Sequence, residues 1–194
     1  MNKSKSLTIR HATIEEKRKV YEWLCCSDTT GLHLGEPNYP ECPVPTWEEF
    51  LEEFQDFYFL ESGRNKASIM IIENNSTEIG CVCYKMFYLK NNRAELSIWL
   101  NSKKFLGYGL GRQALRLVMR YLQKNYSVKQ FILRPSVKNV AAINVYKKLG
   151  FKIVPEKDKY RVINDFIKPE FIKSCIDGDY GFDNSAIMVK KTNK

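Results

Sequence analysis

The residues that most plainly suggest binding chemistry form a glycine-rich turn, Leu106-Gly107-Tyr108-Gly109-Leu110-Gly111-Arg112-Gln113-Ala114-Leu115. It closely follows an apparent strand and opens an apparent amphipathic helix. Alternating glycines let the backbone approach a bulky ligand and take positive φ without a Cβ clash. At a helix start the N–H groups of the first turn lack intrahelical acceptors, and the helix dipole favours an anion there. The turn is therefore a candidate phosphate cradle. A second set lies downstream: Asn139-x-x-Ala142-Ile143-x-x-Tyr146-x-Lys148-x-Gly150-Phe151. On a helix, Asn139, Ala142/Ile143 and Tyr146 fall on one side, so a polar group at the start and a phenol two turns on face the same neighbour.

The elements that must hold these groups follow from hydrophobic periodicity. Residues 6–12 alternate and predict a strand; 15–25 predict a helix with Val20, Tyr21 and Leu24 on its apolar side. Residues 28–45 are irregular and rich in Gly and Pro. Thr46-Trp47-Glu48-Glu49 is a capping box that starts a helix expected to reach about Leu60. Strands are expected at 67–73, 79–89 and 94–100, the first two joined by a turn at Asn74-Asn75-Ser76. A helix over 109–125 turns Leu115, Val118, Met119 and Leu122 inward. A strand at 130–133, a helix over 137–149 ended by Gly150, and strands at 151–154 and 185–191 complete the pattern. Residues 155–184 are poorly patterned, with a short helix expected near 169–176. The order predicts a mixed α/β layer architecture around one sheet, with residues 1–194 as a single domain.

The chain has 194 residues, is 44% hydrophobic and 13% aromatic, and carries a formal net charge of +9. That charge is unevenly spread. Residues 1–80 hold 8 Lys and Arg against 14 Asp and Glu, whereas residues 81–194 hold 23 against 8. The basic half contains the glycine turn and suits a phosphorylated ligand. No apolar run is long enough to span a membrane, and the start of the chain lacks a signal-length apolar stretch, so the expectation is a cytoplasmic protein without a membrane partner. The six cysteines, Cys25, Cys26, Cys42, Cys81, Cys83 and Cys175, form no C-x-x-C pair, and there are two histidines. Buried free thiols and no metal are expected.

Together, the glycine turn and the Asn139–Phe151 motif resemble the GCN5-related N-acetyltransferase (GNAT) superfamily. The pyrophosphate-loop signature Q/R-x-x-G-x-G/A aligns as Leu106-x-x-Gly109-x-Gly111, and N-x-x-A-x-x-x-Y-x-K-x-G-F is matched at every fixed position from Asn139 to Phe151. The resemblance covers residues 68–154 well and the first strand and helix loosely. It departs at Leu106, where the family has a polar residue, so the backbone of the loop carries the expectation. The fold it implies is a central mixed, mostly antiparallel sheet of six or seven strands flanked by about four helices, with a V-shaped split between the fourth and fifth strands.

The resemblance also implies roles. Acetyl-CoA would be the co-substrate and would lie in the split. Backbone groups of Ile98, Trp99 and Leu100 would pair with the pantetheine arm like an added strand. The N–H groups of Gly107, Tyr108, Gly109, Leu110, Gly111 and Arg112 would hold the pyrophosphate, with Lys103, Lys104 and Lys138 as extra phosphate contacts. Asn139 would touch the pantetheine arm. Tyr146 would protonate the leaving thiolate as general acid. An amine of pKa near 10 is mostly protonated at neutral pH, so a base is useful. Alternation puts Glu95, Ser97 and Trp99 on one strand face, and a carboxylate there is costly unless paired or functional. Glu95 is the candidate base; the competing reading pairs it with Arg93 or a Lys.

The acceptor is expected to be a small-molecule or peptide amine. Glu36, Glu41, Glu48, Glu49, Glu52, Glu53 and Asp56 border its side and point to a cationic acceptor such as an aminoglycoside, a polyamine or a basic peptide end. Tyr21-Glu22-Trp23-Leu24 and residues 135–151 are similar to aminoglycoside 6′-acetyltransferases, whereas Arg93-Ala94-Glu95-Leu96 is similar to the spermidine and ribosomal-protein group. A monomer or homodimer is expected. Two other classes compete. Gly109-x-Gly111-x-x-Ala114 fits a dinucleotide fingerprint, with Arg134 at the place of an NADP-binding Arg, but no second mononucleotide-binding half follows. The basic residues are scattered without a nucleic-acid motif, so no nucleic-acid partner is expected. A catalytically silent acetyl-CoA binder is the remaining alternative.

Overall fold

The computed structural model describes residues 7–34, 44–172 and 185–192, with His33 and Leu34 as backbone only. In chain order the elements are β1 (Leu7–His11), α1 (Lys17–Cys25), α2 (Thr30–Leu34), α3 (Trp47–Glu53), β2 (Ala67–Asn74), β3 (Thr77–Lys85) and β4 (Arg93–Leu100). There follow α4 (Leu110–Tyr126), β5 (Gln130–Leu133), α5 (Val140–Lys148), β6 (Lys152–Ile153), α6 (Lys159–Phe166) and β7 (Met188–Lys191).

One seven-stranded sheet runs in the order β1-β2-β3-β4-β5-β7-β6. The β2–β3 hairpin turns at Asn75 and Ser76, both at positive φ (50° and 64°), which matches the right-handed twist of the flanking strands. All neighbours are antiparallel except β4 and β5. This parallel pair holds only at Arg93↔Gln130, Ala94↔Phe131 and Glu95↔Ile132. On its other side β4 stays paired with β3 as far as Leu100. Residues 96–100 of β4 therefore lie beyond the β5 ladder, and this is the split expected between the fourth and fifth strands.

Alternation along β4 sends its side chains into different cores. Leu96 and Leu100 join the cluster under α4, which contributes Leu115, Val118, Met119 and Leu122 from one helical face. Trp99 joins the opposite cluster, with Cys81, Cys83, Phe50, Phe54 and Val20. A third cluster packs Ile163 and Phe166 of α6 against Ile132 and Ile187.

Several boundaries differ from the periodicity. The capping box at Thr46 is present, with the Glu49 N–H donating to Thr46 Oγ1 at 3.2 Å and the Thr46 N–H donating to Glu49 Oε2 at 2.7 Å. Its helix ends at Glu53, however, and does not reach Leu60; short 3-10 turns follow at Asp56–Tyr58 and Glu61–Gly63. The chain doubles back so closely that a Cβ on Gly63 would lie 1.9 Å from the Phe57 carbonyl oxygen. A straight helix cannot make that approach, and the turn still buries Phe54, Tyr58 and Phe59 together. Strand β3 stops at Lys85, because the Met86 and Phe87 N–H groups both donate to the Lys66 carbonyl. Helix α5 begins at Val140 and not at 137, since Asn139 caps it. Helix α6 lies inside the segment that showed little pattern, having a single short buried stripe; of the helix expected near 169–176, the described residues hold a 3-10 turn at Pro169–Phe171, and residues 173–176 lie outside the described residues. Helix α2 likewise falls in a stretch expected to be irregular.

Cys25, Cys81 and Cys83 are buried and Cys26 is exposed; Cys42 and Cys175 lie outside the described residues. Burial pushes the Cys25 and Cys83 thiols up to about 12, so both are protonated at neutral pH.

Candidate active site

The glycine turn is built as its spacing demands. Asp28, after α1, accepts the Lys103 N–H at 2.9 Å and the Ser102 hydroxyl at 3.3 Å, anchoring the 3-10 turn Lys103–Phe105 that leads into the loop. Gly107 (φ 84°) and Gly109 (φ 74°) are left-handed, and Gly109 is the N-cap of α4. A Cβ at Gly107 would meet nothing within 4 Å. Its glycine therefore serves the backbone conformation and not a neighbour's space. Gly111 is different: it sits within α4, where a Cβ would lie 3.4 Å from Ile98 Cδ1, the tip of a β4 side chain. The free N–H groups of the first turn and the positive end of the helix dipole converge at this loop. The buried Nε of Arg112 has no hydrogen-bond partner. An anion at the loop would satisfy these donors. Leu106 is partly exposed and offers no polar group.

A cavity of about 720 Å³ runs from this loop across the end of the β4–β5 ladder to the underside of α3. Among the expected site residues, Glu95, Ile98, Trp99, Leu100, the loop from Gly107 to Arg112, Asn139 and Tyr146 line it. Lys103, Lys104 and Lys138 are not among its lining residues. Of the acidic residues expected to border the acceptor, Glu53 lines the cavity, whereas Glu48, Glu49, Glu52 and Asp56 do not. Glu49 is the capping partner of Thr46, and Asp56 binds Lys17 Nζ at 2.9 Å. Glu36 and Glu41 lie outside the described residues.

Tyr146 reaches the cavity from the buried side of α5, and burial pushes its phenol up to about 12. Asn139 holds the start of that helix. Its Oδ1 accepts the Ala142 N–H at 3.0 Å, and its Nδ2 donates to the Leu32 carbonyl of α2 at 3.3 Å. At the far end of the open β4 edge, the Leu100 carbonyl accepts the Thr29 hydroxyl.

Glu95 is buried, and Arg134, just past the end of β5, grips it with two donors: Nε at 2.7 Å and Nη2 at 3.2 Å. Of the competing reading, an ion-paired carboxylate, the structure keeps the pairing but with Arg134, and among the described residues neither Arg93 nor a Lys bonds it. Arg93 instead binds Gln130 and Asp165. Across the β3–β4 ladder Lys85 stands directly opposite Glu95 and bonds Glu53 at 3.2 Å. Burial works to lower the Lys85 ammonium, but Tyr58, Cys83, Glu53 and Glu95 hold it above its ordinary value. Arg134, Lys85, Thr29 and Asp28 were not expected at the site. For Arg134 a signal existed: it stands two residues beyond Ile132, the parallel partner of Glu95.

The sequence matches the family described as acetyltransferase (GNAT) domain over residues 6–152, and the chain belongs to that family. It is 32% identical over 69 residues to a probable spermine N(1)-acetyltransferase of Bacillus subtilis subsp. natto, a stretch that covers 36% of this chain and 45% of that protein. The chain thus spans about half the length of the curated relatives it matches. Among solved structures, aminoglycoside acetyltransferase AAC(6')-Ib in complex with ribostamycin and coenzyme A superposes with a TM-score of 0.67 at 21% identity, covering 96% of this chain and 93% of that one. RimL, the ribosomal L7/L12 alpha-N-protein acetyltransferase, in complex with coenzyme A, gives 0.65 at 19% identity, covering 97% and 95%. The likeness to these structures is one of fold, and their named acceptors differ in chemistry.

Proposed function

We propose that this chain is an acetyl-CoA-dependent N-acetyltransferase in which a primary amine attacks the thioester directly. One juxtaposition carries the reading: the β4–β5 ladder ends at Glu95↔Ile132 beside a left-handed glycine loop that opens α4. This supplies a stretch of β4 beyond the β5 ladder for an amide-bearing arm and a backbone anion cradle for a pyrophosphate, in one cavity with a protonated phenol. Acetyl-CoA bound there would supply an activated acyl thioester.

The chain's own residues then divide the work. The first-turn N–H groups and Arg112 bind the pyrophosphate; the backbone of Ile98, Trp99 and Leu100 aligns the pantetheine arm, with Thr29 fixing the Leu100 carbonyl. Asn139 orients α5 and, through it, Tyr146. At neutral pH the Tyr146 hydroxyl still holds its proton and donates it to the departing sulfur as the carbon–sulfur bond breaks. Glu95 takes the proton that the amine loses as the new carbon–nitrogen bond forms, directly or through one water. Arg134 fixes the Glu95 carboxylate with two hydrogen bonds, and holding amine and thioester together supplies much of the rate.

The test is twofold. Calorimetry should detect acetyl-CoA binding, with none for NADPH. An amine panel should then yield a product heavier by one acetyl group together with free thiol. Binding without thiol release for any amine would leave a silent acetyl-CoA binder, and binding of NADPH alone would overturn the reading.

A further inference from the structure

The charges that line the acceptor end of the cavity are already matched in pairs. Among the described lining residues there are four cations, Lys85, Arg112, Arg134 and Lys148, and two carboxylates, Glu53 and Glu95. Each carboxylate is held by a cation: Glu53 by Lys85 at 3.2 Å and Glu95 by Arg134 at 2.7 Å. A polycation entering this chamber finds no described carboxylate without a partner. Binding a bare amine of high charge would cost desolvation with little Coulombic return.

The two pairs differ in how firmly they are fixed. Glu95 is buried, receives two guanidinium donors and sits mid-sheet. Glu53 is about half exposed and is the last residue of α3, where the negative end of the helix dipole disfavours a carboxylate. A competing carboxylate can therefore displace it from Lys85 at small cost. Lys85 and Glu95 face one another across adjacent strands, where Cβ atoms lie about 5 Å apart. That is the span over which a small molecule presents an amine to one group and a carboxylate to the other. Phe50, Phe54 and Trp99 line the same end and give an apolar wall for a side chain.

We infer that the acceptor is a zwitterionic amine of the amino-acid type, its amine directed at Glu95 and its carboxylate received by Lys85, which thereby sets acceptor specificity. This inference rests on the N-acetyltransferase reading above and narrows its acceptor.

The experiment compares each of the common amino acids with its own carboxamide, with spermidine and kanamycin as carboxylate-free polyamines, at saturating acetyl-CoA. The amine of a carboxamide is the less basic and is favoured on chemical grounds, so a preference for the free acid reports recognition of the carboxylate. The expected result is at least one amino acid with kcat/KM about tenfold or more above its carboxamide, and above both polyamines. Lys85→Met should collapse that ratio toward one, chiefly through KM, and Lys85→Arg should restore part of it. Unchanged coenzyme A affinity and melting temperature show that both variants are folded. Equal or better rates with carboxamides or polyamines, no acetylated amino acid from a protein that binds acetyl-CoA, or a ratio unmoved in a folded Lys85→Met would each overturn the inference. Absence of acetyl-CoA binding would instead overturn the reading beneath it.

Discussion

The two ends of the cavity are built by different means. At the loop end the backbone does the work: left-handed Gly107 and Gly109, the first turn of α4, and a β4 edge beyond the ladder. At the end proposed for the acceptor, side chains do it, drawn from α3, β3, β4 and the segment after β5, as Glu53, Lys85, Glu95 and Arg134. A backbone site needs a local run of permissive residues, so it is written as a motif and shared across a fold. A side-chain site needs only that a few strands and helices bring their residues near. It can change one residue at a time, and the three relatives compared above are named for a polyamine, an aminoglycoside and a protein amine.

The sharpest way to separate the two ends is at the chemistry between them. Tyr146→Phe should lower turnover by about 10²–10⁴-fold, the range for a positioned proton donor, with acetyl-CoA affinity near that of the parent. Calorimetry beside steady-state rates would show it, and undiminished turnover would remove Tyr146 as the acid. Next in size, Gly109→Val places a β-branched residue at φ 74°. Strain of about 1–3 kcal/mol at this turn should distort the cradle and weaken coenzyme A by roughly 10–100-fold. An unaltered dissociation constant would mean that the loop end is not held by its backbone.

Glu95→Gln probes the acceptor end. Turnover should fall by about tenfold or more, most at low pH where neutral amine is scarce, with little change in coenzyme A affinity. A loss equal at every pH would assign Glu95 to positioning with Arg134, and no loss at any pH would end the base proposal.

Two smaller effects lie outside the chemistry. His11 bridges Ser68 Oγ at 2.8 Å and Tyr121 Oη at 2.9 Å, and burial, with the nearby Arg64 charge, pushes it down to about 4. Its unfolded value is 6.5. Between these values the unfolded chain binds a proton that the folded chain refuses, so stability is intact above about pH 6.5 and falls as pH drops toward 4. The shift converts to about 3 kcal/mol, and solvent screening of a partly buried ring reduces this to about 1–2 kcal/mol. Denaturant midpoints of the parent and His11→Gln across this range would test it; a parallel loss in both would acquit His11. Smallest is Thr46→Ala, which removes the cap of α3 at about 1 kcal/mol. Because α3 carries Glu53 and Phe50, acceptor KM should rise while coenzyme A affinity holds; a change confined to coenzyme A would contradict the division of the cavity.

Much of this molecule is governed by local rules. Asn75-Ser76 turns the hairpin, Thr46 and Glu49 cap one another, Gly109 caps α4, and Asn139 caps α5, each through atoms a few residues apart. Periodicity likewise placed Leu96 and Trp99 on opposite faces of β4. What failed were elements whose ends depend on distant groups: α3 stops where Gly63 returns to Phe57, and β3 stops where Lys66 captures two N–H groups. By itself the sequence determined the sheet with its split, the left-handed glycine turn that opens α4 and the twelve residues that meet in one cavity, because backbone conformation and side-chain alternation are short-range. Only the tertiary structure decided that Glu95 belongs to Arg134 and not to Arg93, and that Lys85 stands opposite it. Those pairings depend on strand register and on where β5 ends, and Coulomb attraction acts on whichever charges the fold brings within reach.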